Sequence, residues 1–257
     1  MKHSFIDGYS HIESPLKRLD PRIKIAAFSA LIVSIILAGP GALLSYGLFA
    51  LVIFILVLVS RIPPLFFIKR AALILPFVLL TAIFIPFLKA GEPCLVLAYG
   101  PFQATATREG FVMFRSILLK GFLSIVCLTL LTAATPFADL LKALEKLKFP
   151  SLMIMLLSFM YRYIFIIHDE ILKMKQAREA RMISGSTWRF RLKAVANMTG
   201  VLFIRSFERA ESVHLAMCSR GFNGQIRTLY NFQIRFQDML FILILAAALI
   251  GINLFGF

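Results

Sequence analysis

Apolar and polar positions fall along this chain in long blocks, not in the short periods of a soluble fold. Nearly every side chain is apolar from about Ile23 to Ala38, from Ala42 to Val59, from Ala71 to Leu88, from Phe111 to Ala134 and from Asp238 to Phe257. A helix that crosses a bilayer needs about 20 such residues, so each run, counted with its flanks, predicts a transmembrane helix. Gly39-Pro40-Gly41 separates the first two. A basic loop ending in Lys69-Arg70 follows the Pro63-Pro64 break and precedes the third, which Pro76 and Pro86 interrupt. In the first run Ala26, Ala30, Ser34 and Ala38 recur at every fourth position, a stripe of small side chains that lets a neighbouring helix approach closely. The connection from Lys89 to Gly110 is the least basic of the long ones and is expected outside.

Between the fourth and last runs the pattern changes. Thr135-Pro136 reads as an N-cap followed by proline at the first helical position, and it opens an amphipathic helix through Lys148 with Phe137, Leu140, Leu141, Leu144 and Leu147 on one side. From Ser151 to Ile167 the chain is apolar apart from Arg162, then runs into Asp169, Glu170, Lys173, Lys175, Arg178 and Glu179 with no breaker. One long helix explains that continuity, and a second begins at about Lys193. The predicted fold class is therefore an all-α integral membrane protein. Its parts are an N-terminal segment (1–22), a four-helix membrane region (23–134), a domain of long helices (135–237) and a final span (238–257).

Composition agrees: 60% of the residues are hydrophobic, 26 are Phe and only 16% are charged, too apolar for an ordinary soluble domain. A net charge of +15 would point to nucleic acid in a soluble protein. In a membrane protein the same excess sets orientation, because Lys and Arg collect in cytoplasmic loops. From Asp139 to Asp238 there are 16 Lys or Arg against 8 Asp or Glu, a net +8. With four spans before this region and one after it, the basic N-terminus and the basic domain share the cytoplasmic side. A further crossing by 151–167 would strand one of them outside. No cleavable signal peptide is visible.

Few residues carry candidate chemistry. Cys94, Cys127 and Cys218 have no paired spacing, and His3, His11, His168 and His214 have no metal-ligand spacing. Met1-Lys2-His3 is a weak square-planar chelator for Ni(II) or Cu(II). Arg115 and Lys120 sit in the outer half of the fourth run. Snorkelling accounts for Arg115, whereas Lys120 has no carboxylate three or four residues away. A self-contained transporter would want paired intramembrane acids or repeated halves, and a lipid-processing enzyme would want a polar cluster at the membrane surface. The spans carry no acid, and His168-Asp169-Glu170 is the one such cluster, with Asp169 and Lys173 spaced as an i,i+4 ion pair. No Walker A sequence is present, so ATP hydrolysis is not expected of this chain.

Both long helical patterns end alike, with an apolar stripe, an arginine and a glycine-bearing loop. Ile167, Ile171, Met174, Ala177 and Arg181 form the first stripe, followed by Met182-Ile183-Ser184-Gly185. Ala210, Val213, Met217 and Arg220 form the second, followed by Gly221-Phe222-Asn223-Gly224. A single such ending is an ordinary cation and glycine at a helix C-terminus. Two of them read as docking anchors, with the arginine stem packed and the guanidinium paired across an interface.

At these residues the chain resembles the transmembrane T components of energy-coupling factor (ECF) transporters, whose two Ala-Arg-Gly-like motifs end cytoplasmic coupling helices. Here they read Ala180-Arg181-Met182 and Ser219-Arg220-Gly221, departing at Met182 and Ser219 while both arginines match. Ser14-Pro15-Leu16-Lys17-Arg18-Leu19-Asp20-Pro21-Arg22 is similar to the family's N-terminal lead-in, so the resemblance covers nearly the whole chain. It implies two ABC-type ATPase subunits as partners, one for each arginine motif. It also implies a substrate-binding membrane subunit, a small accessory membrane subunit, and no cofactor. Phe5-Ile6-Asp7-Gly8-Tyr9-Ser10 and the run Ala216–Gly224 look most like the cobalt-type members, often called CbiQ. Substrate is bound by another chain in that family, which leaves nickel or a vitamin open.

Overall fold

In the computed structural model, residues 14–89, 92–99, 102–181, 187–224 and 235–256 are described. A 3-10 turn at Pro15–Arg18 leads into α1 (Pro21–Leu37), α2 (Leu43–Ser60), α3 (Pro64–Ala82) and the single turn α4 (Ile85–Leu88). A β-hairpin follows, β1 (Pro93–Tyr99) and β2 (Phe102–Thr107), then α5 (Arg108–Ala134), α6 (Phe137–Lys146), α7 (Ser151–Arg181), α8 (Trp188–Cys218) and α9 (Phe236–Gly256). Residues 14–143 with 235–256 form one compact unit, and 144–224 form the other.

The membrane unit is built on a core that α1, α2, α5 and α9 share. Phe28, Leu31 and Ile35 of α1 meet Phe49 of α2 and Cys127 and Leu130 of α5 in one buried cluster, with Leu245, Leu249 and Ile252 supplied by α9. The Cys127 thiol donates to the Phe28 carbonyl at 3.8 Å, so this cysteine is a packing residue. The small-residue stripe is met in part. Ala26 and Ala30 are exposed while Ser34 is buried and Ala38 half-buried, and the packing face is carried mainly by Ala27, Leu31 and Ile35. Close approach occurs instead between α3 and α5, where a Cβ on Gly121 would lie 3.1 Å from Val78 Cγ1.

Helix starts follow the caps legible in the chain. Asp20 Oδ1 accepts the Arg22 N–H at 2.9 Å while Pro21 opens α1, and Thr107 Oγ1 accepts the Gly110 N–H at 3.2 Å and donates to the Lys89 carbonyl at 2.9 Å. Two boundaries differ from expectation. The basic loop before the third span is absent, because Pro64 opens α3 and Lys69 and Arg70 lie inside the helix. Proline at that position gives up an N–H that would have no partner anyway, and the Arg70 guanidinium stacks over the Phe66 ring four residues earlier, 5.2 Å from its centroid. Pro76 does not end α3; the break comes at Ile83-Phe84, just before Pro86. The connection expected as an outer loop contains the antiparallel hairpin, paired from Tyr99↔Phe102 to Pro93↔Thr107 with a register shift at Cys94.

Five described helices are long and apolar enough to cross a membrane: α2, α3 continued to Phe87, α5, α7 and α9. The chain is thus an all-α, multi-pass membrane protein, with the one β-ribbon among its described residues lying in a connection. The five are not the five apolar runs. α1 has 17 residues, about 26 Å at 1.5 Å each, and reaches a bilayer's thickness only with its flanks, whereas α7 is among the five because its apolar half continues into a 31-residue helix. Lys120, unassigned from sequence, donates to the Ile36 carbonyl at 2.7 Å and so caps the last turn of α1. Arg115 is exposed.

Candidate functional site: a pair of arginine-tipped helices

The second unit is dominated by α7 and α8. Each has 31 residues, yet α8 buries no side chain and α7 buries only Ile154. α7 starts where α6 stops. The left-handed backbone of Lys148 (φ 62) lets the Phe149 N–H reach the Leu144 carbonyl at 3.2 Å, and the Pro150 carbonyl then accepts the Met153 N–H at 3.1 Å.

α7 and α8 meet in antiparallel fashion over part of their length. Glu170 forms an ion pair with Arg205, and Met155 and Phe159 line the same groove as Met217 and Phe222. That groove has a cavity volume of about 480 Å³ and is walled mainly by apolar side chains. On α7 the half-buried positions, more widely spread before Glu170, include the series Tyr163, Ile167, Glu170, Met174, Arg178; on α8 they run Ala194, Met198, Leu202, Ser206, Val213, Met217. Both sets follow the three-and-four spacing of a helix face.

The first expected stripe is therefore met in part. Ile167 and Met174 are on the half-buried face, while Ile171 and Ala177 are exposed. Arg178 takes the next place after Met174, its Nε buried with no hydrogen-bond partner among the described residues. Ala180 and Arg181 close α7 and are exposed. Met182 lies outside the described residues, as do Gly185, His3, His11, Met1-Lys2-His3 and the run Phe5–Ser10.

At the other tip the geometry is complete. Gly221 adopts φ +78, the Gly221 N–H reaches the Cys218 carbonyl at 3.0 Å, and the Phe222 N–H reaches the Met217 carbonyl at 3.1 Å. This paired bonding is the Schellman ending of a helix. Phe222 and Met217, the two side chains that such an ending brings together, both line the groove. Ser219 Oγ donates to the Ala216 carbonyl at 3.0 Å, and Ser219, Arg220 and Gly221 are all exposed. Gly221 is thus explained by the backbone alone, whereas among the described residues nothing engages the exposed Arg220 side chain.

The two arginines are not brought together. Arg220 follows Met217, which shares the groove with Met155 near the start of α7, whereas Arg181 ends α7. Along α7 the 26 residues from Met155 to Arg181 amount to about 39 Å. The arm carries an exposed arginine at each of two separate helix ends, on a scaffold whose apolar faces the described residues leave largely uncovered. Among the described residues no group of three His, Cys, Asp or Glu gathers as a metal site. The Cys218 thiol lies 3.6 Å from His214 Nε2, one turn apart on α8.

Sequence reasoning missed several contributors. The groove residues Phe159, Tyr163 and Leu202, unlike Val213, were not picked out although their apolar spacing was legible. The Glu170–Arg205 pair, 35 residues apart, had no local signal.

These features define a class: a multi-pass helical membrane protein bearing a basic, paired-helix arm. Cobalt transport protein CbiQ is the family that matches, over residues 13–230. An energy-coupling factor transporter transmembrane protein, EcfT, of Listeria innocua is 35% identical over 237 residues, covering 87% of this chain and 86% of that protein. An uncharacterized protein of Methanocaldococcus jannaschii is 28% identical over 251 residues, 93% of this chain and 82% of its own length. A putative fused cobalt transport protein, CbiMQ, of Methanocorpusculum labreanum is 26% identical over 216 residues, covering 83% of this chain and 36% of that protein. The chain belongs to the CbiQ/EcfT family, the transmembrane energy-coupling components of ECF transporters.

Proposed function

We propose that this chain is the coupling subunit of an ECF-type importer for cobalt, joining two ABC-type ATPase subunits to a substrate-binding membrane subunit. The observation that carries this reading is the pair of exposed arginines, Arg181 and Arg220, at the ends of two long helices whose faces are largely unfilled. Their separation along α7 suits two ATPases, each receiving one guanidinium against a carboxylate or a helix C-terminus. Movement of one ATPase against the other would then change the angle of α7 and α8 and be passed to the substrate-binding subunit. Ala180, Met182, Ser219 and Gly221 shape the two tips, and catalysis of ATP hydrolysis belongs to the partners.

Charge sets the orientation: with α1, α2, α3 and α5 taken as the four crossings before the arm, the N-terminus and the arm face the cytoplasm, and the apolar half of α7 lies along the membrane without crossing it. Cobalt is favoured by the family match and by the fused relative's printed name. A coupling subunit for another substrate is the second reading, favoured by a higher identity to a relative whose name specifies no ion.

The test is co-purification of the ATPases with the Arg181→Ala, Arg220→Ala double variant in membranes that hold the whole complex. Loss of ATPase with normal insertion is expected; wild-type recovery would refute the docking role. Arg220→Lys should rescue partly, because an ammonium lacks the planar fork. Uptake of labelled cobalt against nickel by the complete complex decides the ion.

A further inference from the structure

Away from the arm, the membrane unit holds a second groove, of about 870 Å³, walled by α2 and α9 and closed at one end by the 3-10 turn. Leu51, Ile55 and Val59 line it from α2, and Leu240, Ile244 and Ala248 from α9. All the polarity is at one end, where Ser14, Gln237 and Arg61 lie. Among the described residues Arg61 is the one charged residue of the lining, and none of them places a carboxylate beside it. Among the described residues its exposed guanidinium has no ion pair or hydrogen bond. Ser14 Oγ accepts the Lys17 N–H at 3.3 Å, which leaves its own proton to donate.

The length of the groove discriminates between occupants. Its lining runs ten residues along α2, from Leu51 to Arg61, and eleven along α9, from Gln237 to Ala248, or about 15 and 16 Å. Half of a hydrocarbon core about 30 Å thick is about 15 Å. Both helices continue past the groove, α2 back to Leu43 and α9 on to Gly256, without lining it. A partner's spanning helix would need the full thickness. A lipid of one leaflet needs half, with an anionic group at the polar end.

We propose that this groove binds one phospholipid of that leaflet, its acyl chains along Ile55, Ile244 and Ala248 and its phosphate on Arg61. The guanidinium and a phosphate make a paired, charge-assisted contact at the depth where headgroups lie. The lipid thereby fastens the N-terminal turn, α2 and α9 to one another.

Arg61 offers a clean variant. Its backbone is left-handed, φ 55 and ψ 17, a conformation that glycine adopts without cost, so Arg61→Gly removes the cation and favours the fold. Native mass spectrometry of the full-length chain, stripped of lipid and titrated with phosphatidylglycerol or with diacylglycerol of the same acyl chains, reads the site. One phosphatidylglycerol should bind about tenfold or more tighter than diacylglycerol. Arg61→Gly should bring the two together without lowering Tm, and Ala248→Phe should weaken both. Equal binding of the two lipids by the wild type, or full phosphatidylglycerol affinity in Arg61→Gly, overturns the proposal. A benzophenone photoprobe at position 244 in cell membranes should give an adduct of lipid mass; an adduct with a protein overturns it too.

Discussion

Asp238 is the buried group on which the membrane unit is most exposed to attack. Its side chain is 2% exposed, and its two oxygens serve two helices. Oδ2 accepts the Arg235 N–H at 2.8 Å while the Asp238 N–H returns to the Arg235 carbonyl at 2.9 Å, which seals the start of α9. Oδ1 accepts the N–H of Asp20 at 3.0 Å, the residue that caps α1. One carboxylate therefore joins the first turns of the first and last long helices of the unit, 218 residues apart. Attraction from Asp139, Asp238 and Asp20 also acts on Lys24, which is 1% exposed and donates to the Lys17 carbonyl at 3.0 Å.

Asp238→Ala removes both accepted bonds. Arg235 is exposed and its N–H can turn to water, so the lost cap costs about 1 kcal/mol. Asp20 is 5% exposed, and its stranded N–H costs about 1–3 kcal/mol. The sum is about 2–4 kcal/mol, with weaker compensation of Lys24 adding to it. At about 2–4 °C per kcal/mol for a chain of this size, Tm in detergent should fall by about 4–16 °C. Asp238→Asn keeps one acceptor and turns an NH₂ toward the other donor, so it should fall between Asp238→Ala and wild type. Thermal shift of the three proteins side by side decides. Wild-type Tm in both variants would refute the double-cap reading, and Asn no better than Ala would show that the charge, not the acceptor geometry, is what stabilises.

Three further substitutions test local geometry. A Cβ on Gly110 would meet Pro86 Cα at 2.6 Å. Gly110→Ala should therefore move α4 off α5 and cost about 1–3 kcal/mol, read as a Tm decrease; an unchanged Tm would show that the contact yields freely. Gly221→Ala meets nothing within 4 Å but keeps φ +78, so it should cost about 1–2 kcal/mol through the backbone alone. That loss should appear as fraying of the α8 end in hydrogen exchange, with the membrane unit unaffected. Lys120→Met loses the bond to the Ile36 carbonyl and should lower Tm by an amount matching about 0.5–1.5 kcal/mol while transport by the assembled complex persists. Transport lost at wild-type Tm would instead make Lys120 part of a path.

What could be read from the chain divides by range. Caps within four residues were legible at Asp20 before Pro21 and at the glycine after α8, but not at Thr135, whose Oγ1 is buried with no hydrogen-bond partner among the described residues while α6 opens at Phe137. So was the unbroken run from Ser151 through Arg181, because no breaker interrupts it. Errors arose where one signal was allowed to stand for another. Lys69 and Arg70 looked like a loop because charge usually marks the end of a span, yet Phe66 lies one turn behind Arg70 and holds its guanidinium within the helix. Two short runs flanking Gly100-Pro101 carried a hairpin signal, and overall hydropathy hid it. The Asp20–Asp238 contact had no signal at all, since it joins the two ends of the chain.

The arginine tips show the same limit at the site itself. A stripe drawn as Ile167, Ile171, Met174, Ala177, Arg181 treats one face as uniform, but at 100° per residue Ala177 falls about 80° from Ile167, while Arg178 falls about 20° and Arg181 about 40° from it. Arg178 therefore completes the half-buried face and Arg181 extends it one turn further, into the open. Periodicity alone cannot separate these two arginines, because both fit the stripe; what separates them is where the surface supplied by the chain itself runs out. The same is true of Met217 and Arg220, with the Schellman turn falling between a side chain that lines the groove and one that leaves it. On each helix the first residue past the covered face is a cation. A partner that supplied the missing surface would meet that cation first, and for that reason Arg181 and Arg220, not the more numerous charges behind them, are the residues on which docking should turn.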